Sequence, residues 1–220
     1  MNFYYTGPPT KLQKDEGITI VKTTGPLACI QCSEKDIESN QQCTKRTVIG
    51  CDICTQHLKQ NKSLQIKKST IFVDGKSIGK GLFAINTGDR NEIIFHNSVV
   101  IIDYIGEIID EDEREKRYGN GTGPYCLGGK LVDDDIDSPF VDSAFMRGVG
   151  SIINHMPLEQ SNAQYQFDTV RNMHVIVAIK DIYSGEEIFC DYGDEYQLFG
   201  KYSGKHATLS NKKSPPKWFI

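Results

Sequence analysis

No stretch of this 220-residue chain approaches the ~18–20 consecutive apolar residues that a membrane span requires. The first residues, MNFYYTGPPTKLQK, lack the basic-then-apolar layout of a secretory signal. Cysteine pairing has no clean arithmetic either: seven cysteines are an odd number. With no secretory signal, a reducing, intracellular compartment is expected, and a disulfide framework is not. The chain also lacks the extremes of composition. Hydrophobic residues make up 38% and charged residues 25%, and the mean hydropathy is -0.41. Membrane, fibrous and fully disordered classes are excluded, and the length suits one domain with a real core plus a small addition.

Charge is distributed unevenly behind a net value of -4. Residues 1–70 carry ten Lys/Arg against six Asp/Glu, whereas residues 71–200 carry ten against twenty-three. Residues 201–220 hold five lysines and no acid. An acidic centre of that size suits a cationic partner better than a phosphate backbone. A solvated acidic face is the plain alternative.

Three zones follow from composition. Residues 1–65 are polar and hold five of the seven cysteines. Residues 66–200 alternate short β-rich runs with Gly and Asp turns. Residues 201–220 read as a Lys-, Ser- and Pro-rich mobile tail ending in Trp218 and Phe219. Strand signals fall on Thr70–Asp74, Gly81–Ile85, Glu92–Phe95, the β-branched run Ser98–Ile109, Pro139–Asp142, Ala163–Phe167, His174–Ile179 and Glu187–Cys190. Glu111–Tyr118 reads as a helix, and Ala144–Ile153 as a second, weaker one. Short segments without βαβ spacing predict a compact, mostly β fold with small helices.

The cysteines are spaced Cys29-x2-Cys32, Cys43, then Cys51-x2-Cys54-x2-His57. A two-residue gap lets two side chains of one turn reach one ion, and zinc takes four thiolate or imidazole ligands tetrahedrally. Six candidates compete for four positions. Scattered buried cysteines and redox chemistry are the alternatives to metal binding. The segment Gln42–Leu58 resembles a small zinc knuckle, which selects Cys43, Cys54 and His57, with Cys32 or Cys29 as the fourth ligand and Cys51 spare. Its role would be structural, and nucleic-acid contact by this segment is one use of such a module.

In the central zone, Gly79-Lys80-Gly81 between strand signals is first a tight turn, and a lone G-x-G that opens no helix is weak as a dinucleotide signature. Ile153-Asn154-His155 and Asp191-Tyr192-Gly193, each taken alone, read as core or turn residues. In order, however, Gly79–Ala84, Asp103-Tyr104-Ile105-Gly106-Glu107, Tyr125-Cys126-Leu127, Val141-Asp142-Ser143, Ile153-Asn154-His155 with Asn162, and Glu186–Gly193 resemble the SET-domain protein lysine methyltransferases. Similarity spans about residues 66–196 and is greatest to the short virus-encoded members. For such a protein the compartment would be a viral factory or the host nucleus.

The resemblance implies a β-clip fold of short sheets with a knot-like crossing, and S-adenosylmethionine as cofactor. It implies Tyr192 as catalytic tyrosine and Tyr125 beside cofactor and lysine amine. Asn154, His155 and the Ile78-Gly79-Lys80 turn would hold the cofactor, Tyr104 would be a structural wall and Glu107 a buried brace. The substrate would be a lysine in a basic protein, a histone tail among them; oligomeric state stays open. Cys190 stands where family members place Tyr or Phe, which favours di- or trimethylation, while Tyr165 would restrict it. Departures are Met156 and Pro157 after the Asn-His pair, Ser151-Ile152 in place of a common Arg-Phe, and no cysteine after Cys190, so no zinc-binding tail is expected. Trp218 could supply an aromatic lid instead. The rival reading is a catalytically inactive SET-fold binding protein whose zinc module contacts nucleic acid or protein.

Overall fold

A computed structural model describes residues 31–36, 38–47, 53–73, 75–86, 92–118, 123, 125–128, 140–144, 148–193 and 207–209. Cys29, Cys51 and Trp218, all weighed above, lie outside the described residues.

The first described element is a hairpin, bridged at Gln31–Arg46 and Lys35–Gln42. Asp36 closes its tip, accepting the backbone N–H groups of Glu38 and Ser39 at 3.1 Å each. Helix α1 (Thr55–Lys62) follows. Its sequence TQHLKQNK carries one strong apolar residue, Leu58, so no periodic stripe announces it. What holds it is tertiary: His57 and Leu58 are buried, Cys54 caps the N-terminus, and Ser63 closes the other end in the left-handed region at φ 53. Strand β1 (Leu64–Lys68) then runs antiparallel to β4 (Lys80–Ala84), pairing Leu64 with Ala84 and Lys68 with Lys80.

Between them, β2 (Ile71–Val73) and β3 (Lys76–Ser77) form a hairpin. The run 98–109 predicted as one strand is two, β6 (Val100–Asp103) and β7 (Glu107–Ile109). The break has a steric cause: a Cβ on Gly106 would lie 2.6 Å from the Asp142 carbonyl, so only glycine lets the bend seat against β9 (Phe140–Asp142). Strand β9 pairs with β7 and β8 (Cys126–Leu127), and helix α2 (Glu111–Tyr118) lies where the sequence predicts a helix. Among the described residues of the second predicted helix, Val149–Ile152 form a 3-10 turn instead. Gly148 and Gly150 weaken α propensity there, and a Cβ on Gly150 would meet the Asp103 carbonyl at 2.8 Å.

The largest sheet among the described residues has the order β10-β14-β11-β12-β6. Strands β11 (Ala163–Asp168) and β12 (Met173–Ala178) form a six-pair hairpin. Strand β14 (Phe189–Cys190) is parallel to both β10 (Asn154–His155) and β11. A late segment thus inserts between two strands joined by the short 156–162 loop, the knot-like crossing that ordinary topologies avoid. Asn162 pins it: its Nδ2 donates to the Glu187 carbonyl at 2.9 Å and its Oδ1 accepts the Phe189 N–H at 2.8 Å. A smaller pair joins β5 (Ile93–Phe95) to β13 (Ile182–Tyr183).

One apolar cluster runs from Cys32, Cys43, Cys54 and Leu58 through Leu64 and Leu82 to Ile176 and Ile188. The cysteine segment is therefore packed on the central fold. Within the segment expected as a mobile tail, β15 (Ala207–Leu209) pairs with β2 as a third strand. Three residues in a Lys- and Ser-rich context give no alternating pattern from which to read it. No helix among the described residues is long and apolar enough to cross a membrane.

Candidate functional site

Two constellations stand out. The first is the cysteine cluster. Cys32, Cys43, Cys54 and His57 are all buried, and their ligand atoms lie within 4.8 Å of one another. The hairpin supplies the first two, the N-cap of α1 the third, and its first turn the fourth. His57 Nδ1 is 3.3 Å from Cys32 Sγ and 3.5 Å from Cys54 Sγ. Zinc bonds of about 2.3 Å to sulfur and about 2.0 Å to nitrogen at a tetrahedral angle separate such atoms by about 3.5 Å. Three thiols and an imidazole in a dry cluster fit that ion in number, chemistry and spacing. Cys43, Cys54 and His57 are the three selected from the sequence, and Cys32 is the one of the two candidate fourth ligands that lies among the described residues.

The second constellation lies where the inserted strand meets the cavity. A narrow cavity of about 40 Å³ is walled by Tyr104, Tyr125, Cys126, Leu127, Ser151, Tyr165 and Tyr192. Tyr104 is buried and donates its hydroxyl to the Tyr125 carbonyl at 2.8 Å, which makes it a wall. Its ring meets Tyr165 edge-on, with centroids 5.5 Å apart, and Tyr165 lies 6.1 Å from Tyr192. The Tyr192 hydroxyl donates to the Ile153 carbonyl, so toward the cavity its oxygen acts as an acceptor. Burial, then the Asp142 charge, pushes the Cys126 thiol up to about 12; it stays protonated and is no nucleophile at neutral pH. Cys190 is fully buried and forms no part of this wall. Of the two residues weighed for product degree, Tyr165 lines the cavity and Cys190 does not.

The remaining predicted residues sit behind Tyr192. His155 Nδ1 accepts the Tyr192 backbone N–H at 3.1 Å. Burial lowers the His155 pKa, while the Asp191 carboxylate and the Cys190 carbonyl act against the shift. Asn154 Nδ2 donates to the Lys80 carbonyl at 3.0 Å, which joins the Ile78-Gly79-Lys80 turn to the Asn-His strand. Ile78, Gly79 and Lys80 are exposed, and their backbone is largely engaged: the Ile78 N–H donates to the Ile71 carbonyl at 3.4 Å and the Gly79 carbonyl accepts the Ser69 N–H at 2.9 Å. The structure thus links Lys80 to Asn154 and His155 to Tyr192, and puts Tyr125 and Tyr192 in one cavity. A larger open depression of about 210 Å³ on β6, β11 and β12, lined by Val100, Phe167 and Asp168 among others, contains none of these residues.

Sequence reasoning left two buried charge systems unread. Glu187 accepts from Ser69, Thr70 and Asn154. Arg117 binds Glu107 at 2.7 Å, Glu113 at 2.9 Å and Asp142 at 2.9 Å, and Tyr118 donates to the same Asp142 oxygen at 2.8 Å. Glu107, expected as a buried brace, is half-buried and forms one arm of this network. The available signal was an arginine and a tyrosine ending an otherwise acidic helix. Their partner Asp142 is 24–25 positions away.

A tyrosine-walled cleft backed by an Asn-His strand, with Asp191 and Tyr192 directly after the inserted β14, defines a recognisable class. A family model described as SET domain matches residues 79–193, and the chain belongs to the SET-domain family. It is 36% identical over 118 residues to the histone-lysine N-methyltransferase set1 of Dictyostelium discoideum, covering 51% of this chain and 7% of that protein. It is 31% identical over 168 residues to the histone-lysine N-methyltransferase EZH2 of Chaetomium thermophilum, covering 71% of this chain and 10% of that protein. Among solved structures it is similar to Chaetomium thermophilum polycomb repressive complex 2, at 30% identity and a TM-score of 0.46, covering 64% of this chain and 17% of that one. The chain spans about a tenth of the length of the curated relatives it matches.

Proposed function

We propose that this chain moves a methyl group from S-adenosylmethionine to the ε-amine of a lysine in a basic protein, with a histone tail as the first substrate class to test and the nucleus as its place of action. The observation that carries this reading is the tyrosine-walled cavity with the Tyr192 hydroxyl committed to Ile153. When bound, the cofactor supplies a methyl group made electrophilic by its sulfonium. The chain's part is alignment and exclusion of water. A free lysine has pKa ~10.4, so the dry cavity must favour the neutral amine, and desolvation does so. Four phenol rings shape a channel that admits an unbranched side chain. The Tyr192 oxygen, acting as an acceptor toward the cavity, orients the amine, and Tyr125 borders it. Tyr192 and Tyr125 would hold the amine with its lone pair toward the methyl group that the cofactor would supply, and the proton the lysine ammonium sheds would leave to solvent.

Asn154, His155 and the 78–80 turn hold the cofactor in this proposal. Cys32, Cys43, Cys54 and His57 hold a structural zinc, four protein ligands leaving no open position. The acidic central zone steers a Lys/Arg-rich peptide. In residues 31–68, Lys35, Lys45, Arg46, Lys59, Lys62, Lys67 and Lys68 outnumber Glu34, Asp36, Glu38 and Asp52, a balance that favours nucleic-acid contact there.

The test is calorimetry with S-adenosylmethionine, followed by transfer of labelled methyl to core histones, with Tyr192→Phe beside wild type. Binding plus histone labelling that falls by two or more orders of magnitude in Tyr192→Phe supports the reading. Absence of cofactor binding favours the inactive SET-fold binding protein, and binding without histone product points to another basic substrate.

A further inference from the structure

Glu187 is 5% exposed and belongs to no ion pair among the described residues. Its Oε1 accepts from Ser69 Oγ at 2.8 Å and from Asn154 Nδ2 at 2.9 Å. Its Oε2 accepts from the Thr70 N–H and from Thr70 Oγ1, each at 2.6 Å. Removing a carboxylate from water is costly unless hydrogen bonds replace its hydration, and here neutral donors do so. The site is built to admit it: a Cβ on Gly81 would run into the Glu187 carboxylate and lie 3.0 Å from Asn154 Nδ2. The second glycine of Gly79-Lys80-Gly81 therefore makes room for this acid beside Asn154.

The consequence falls on Asn154. Its amide nitrogen has two hydrogens, one given to the Lys80 carbonyl and one to Glu187 Oε1. A flipped amide would set three acceptors against one another, so the orientation follows from the hydrogen bonding. With both hydrogens spent, Asn154 Oδ1 is what remains to meet a ligand.

We propose that Glu187, held by Ser69 and Thr70, is a positioning residue that locks the Asn154 amide with its carbonyl outward, so that the cofactor site accepts a hydrogen-bond donor there. On S-adenosylmethionine the donor that fits a bare carbonyl best is the α-ammonium. The inference rests on the proposed cofactor, and its test separates the two.

Calorimetry compares wild type, Glu187→Gln, Asn154→Ala and the double variant, with S-adenosylmethionine and with the analogue whose α-ammonium is replaced by a keto group. Glutamine keeps the shape but can donate to Asn154 Oδ1 and so release the flip. The expected result is a roughly tenfold or greater loss of S-adenosylmethionine affinity in Glu187→Gln, with little further loss when Asn154 is already alanine. Preference for the cofactor over the keto analogue should be clear in wild type and shrink in Glu187→Gln. Wild-type affinity in a folded Glu187→Gln, or losses that simply add in the double variant, would overturn the proposal. If Glu187→Gln does not fold, Thr70→Val removes one donor and should weaken binding in the same direction by a smaller factor; no change would count against the proposal.

A wild type that takes up no S-adenosylmethionine would sink the methyltransferase reading alone. The Asn154 side-chain amide protons then decide the geometry by NMR: slow exchange in wild type and fast exchange in Thr70→Val support the lock, and fast exchange in wild type refutes it.

Discussion

The His155 imidazole accepts the backbone N–H of Tyr192 through Nδ1 at 3.1 Å, so the ring that packs 5.2 Å from the Tyr192 phenol also holds the chain from which that phenol projects. This contact requires an unprotonated Nδ1, and burial lowers the His155 pKa accordingly. His174, buried in β12 against Phe167, is lowered for the same reason. In both, the unfolded chain binds a proton at higher pH than the folded one. Their contribution to stability is complete above about 6.5 and is lost as pH falls through the folded values. Melting temperature against pH should therefore fall less steeply below pH 6.5 in His155→Gln and in His174→Gln than in wild type. The comparison must be between curves, because burial raises Glu186 and gives a slope of opposite sign. Parallel curves for wild type and both variants would refute the assignment.

Local patterns made much of the fold legible. β-branched runs mark β6 and β12, the alternating Tyr165 and Phe167 mark β11, and the i, i+3 and i, i+4 charge pairs of Glu113 with Lys116 and Arg117 mark α2. Elements fixed from outside were not legible. Helix α1 rests on Leu58 and its caps, the bend at Gly106 on a strand more than thirty residues later, and β15 on a sheet edge far away in sequence. Site residues show the same division. Asn154, His155 and Tyr192 could be named because the order of short motifs carries them, and the cysteine spacing carries Cys32, Cys43, Cys54 and His57. Glu187 could not be given a role, since Ser69 and Thr70 lie 118 and 117 positions away.

The Arg117 brace should behave as a unit. Burial opposes its charge, but hydrogen bonds to Glu113, Glu107 and Asp142 outweigh that and hold the guanidinium above its usual range. Arg117→Met keeps the stem and removes the cation, leaving the fully buried Asp142 without its counter-charge. Loss of one partner of a buried pair costs about 3–5 kcal/mol. Tyr118→Phe removes one hydrogen bond to the same carboxylate, at about 1–3 kcal/mol. Urea unfolding should rank them in that order, and a Tyr118→Phe cost above that of Arg117→Met would contradict the account.

Purified chain should carry zinc in about one-to-one ratio, released by thiol modification and measured by elemental analysis. Cys54→Ala removes a ligand and also the α1 cap, whose Sγ accepts the His57 N–H at 3.5 Å, so it should lose both metal and helix. Cys43→Ser removes a ligand outside α1 and should lose metal while keeping more of the helical circular dichroism. Full retention of zinc in both variants would exclude the cluster as its site.

Product degree should turn on Tyr165. Its ring stands between Tyr104 and Tyr192 in the cavity wall, and a phenol near the amine has two effects. Its oxygen would occupy volume in a space of about 40 Å³, and in the proposed reaction it would offer a hydrogen bond to the amine. A second or third transfer needs the methylated amine to turn its lone pair back toward the donor, which requires room on the side away from the incoming methyl. Tyr165→Phe removes the oxygen and leaves the ring packing intact, so folding should be unchanged. The expected outcome is a shift toward di- and trimethylated product, read by mass spectrometry of a methylated histone peptide, at a similar rate for the first transfer. Cys190→Phe, by contrast, loads a fully buried position between β10 and β11. Overpacking of about 1–3 kcal/mol or more should appear there as lost stability, with no such shift in product. A Tyr165→Phe product distribution identical to wild type, or a change in degree from Cys190→Phe without loss of stability, would move control of product degree away from the tyrosine wall.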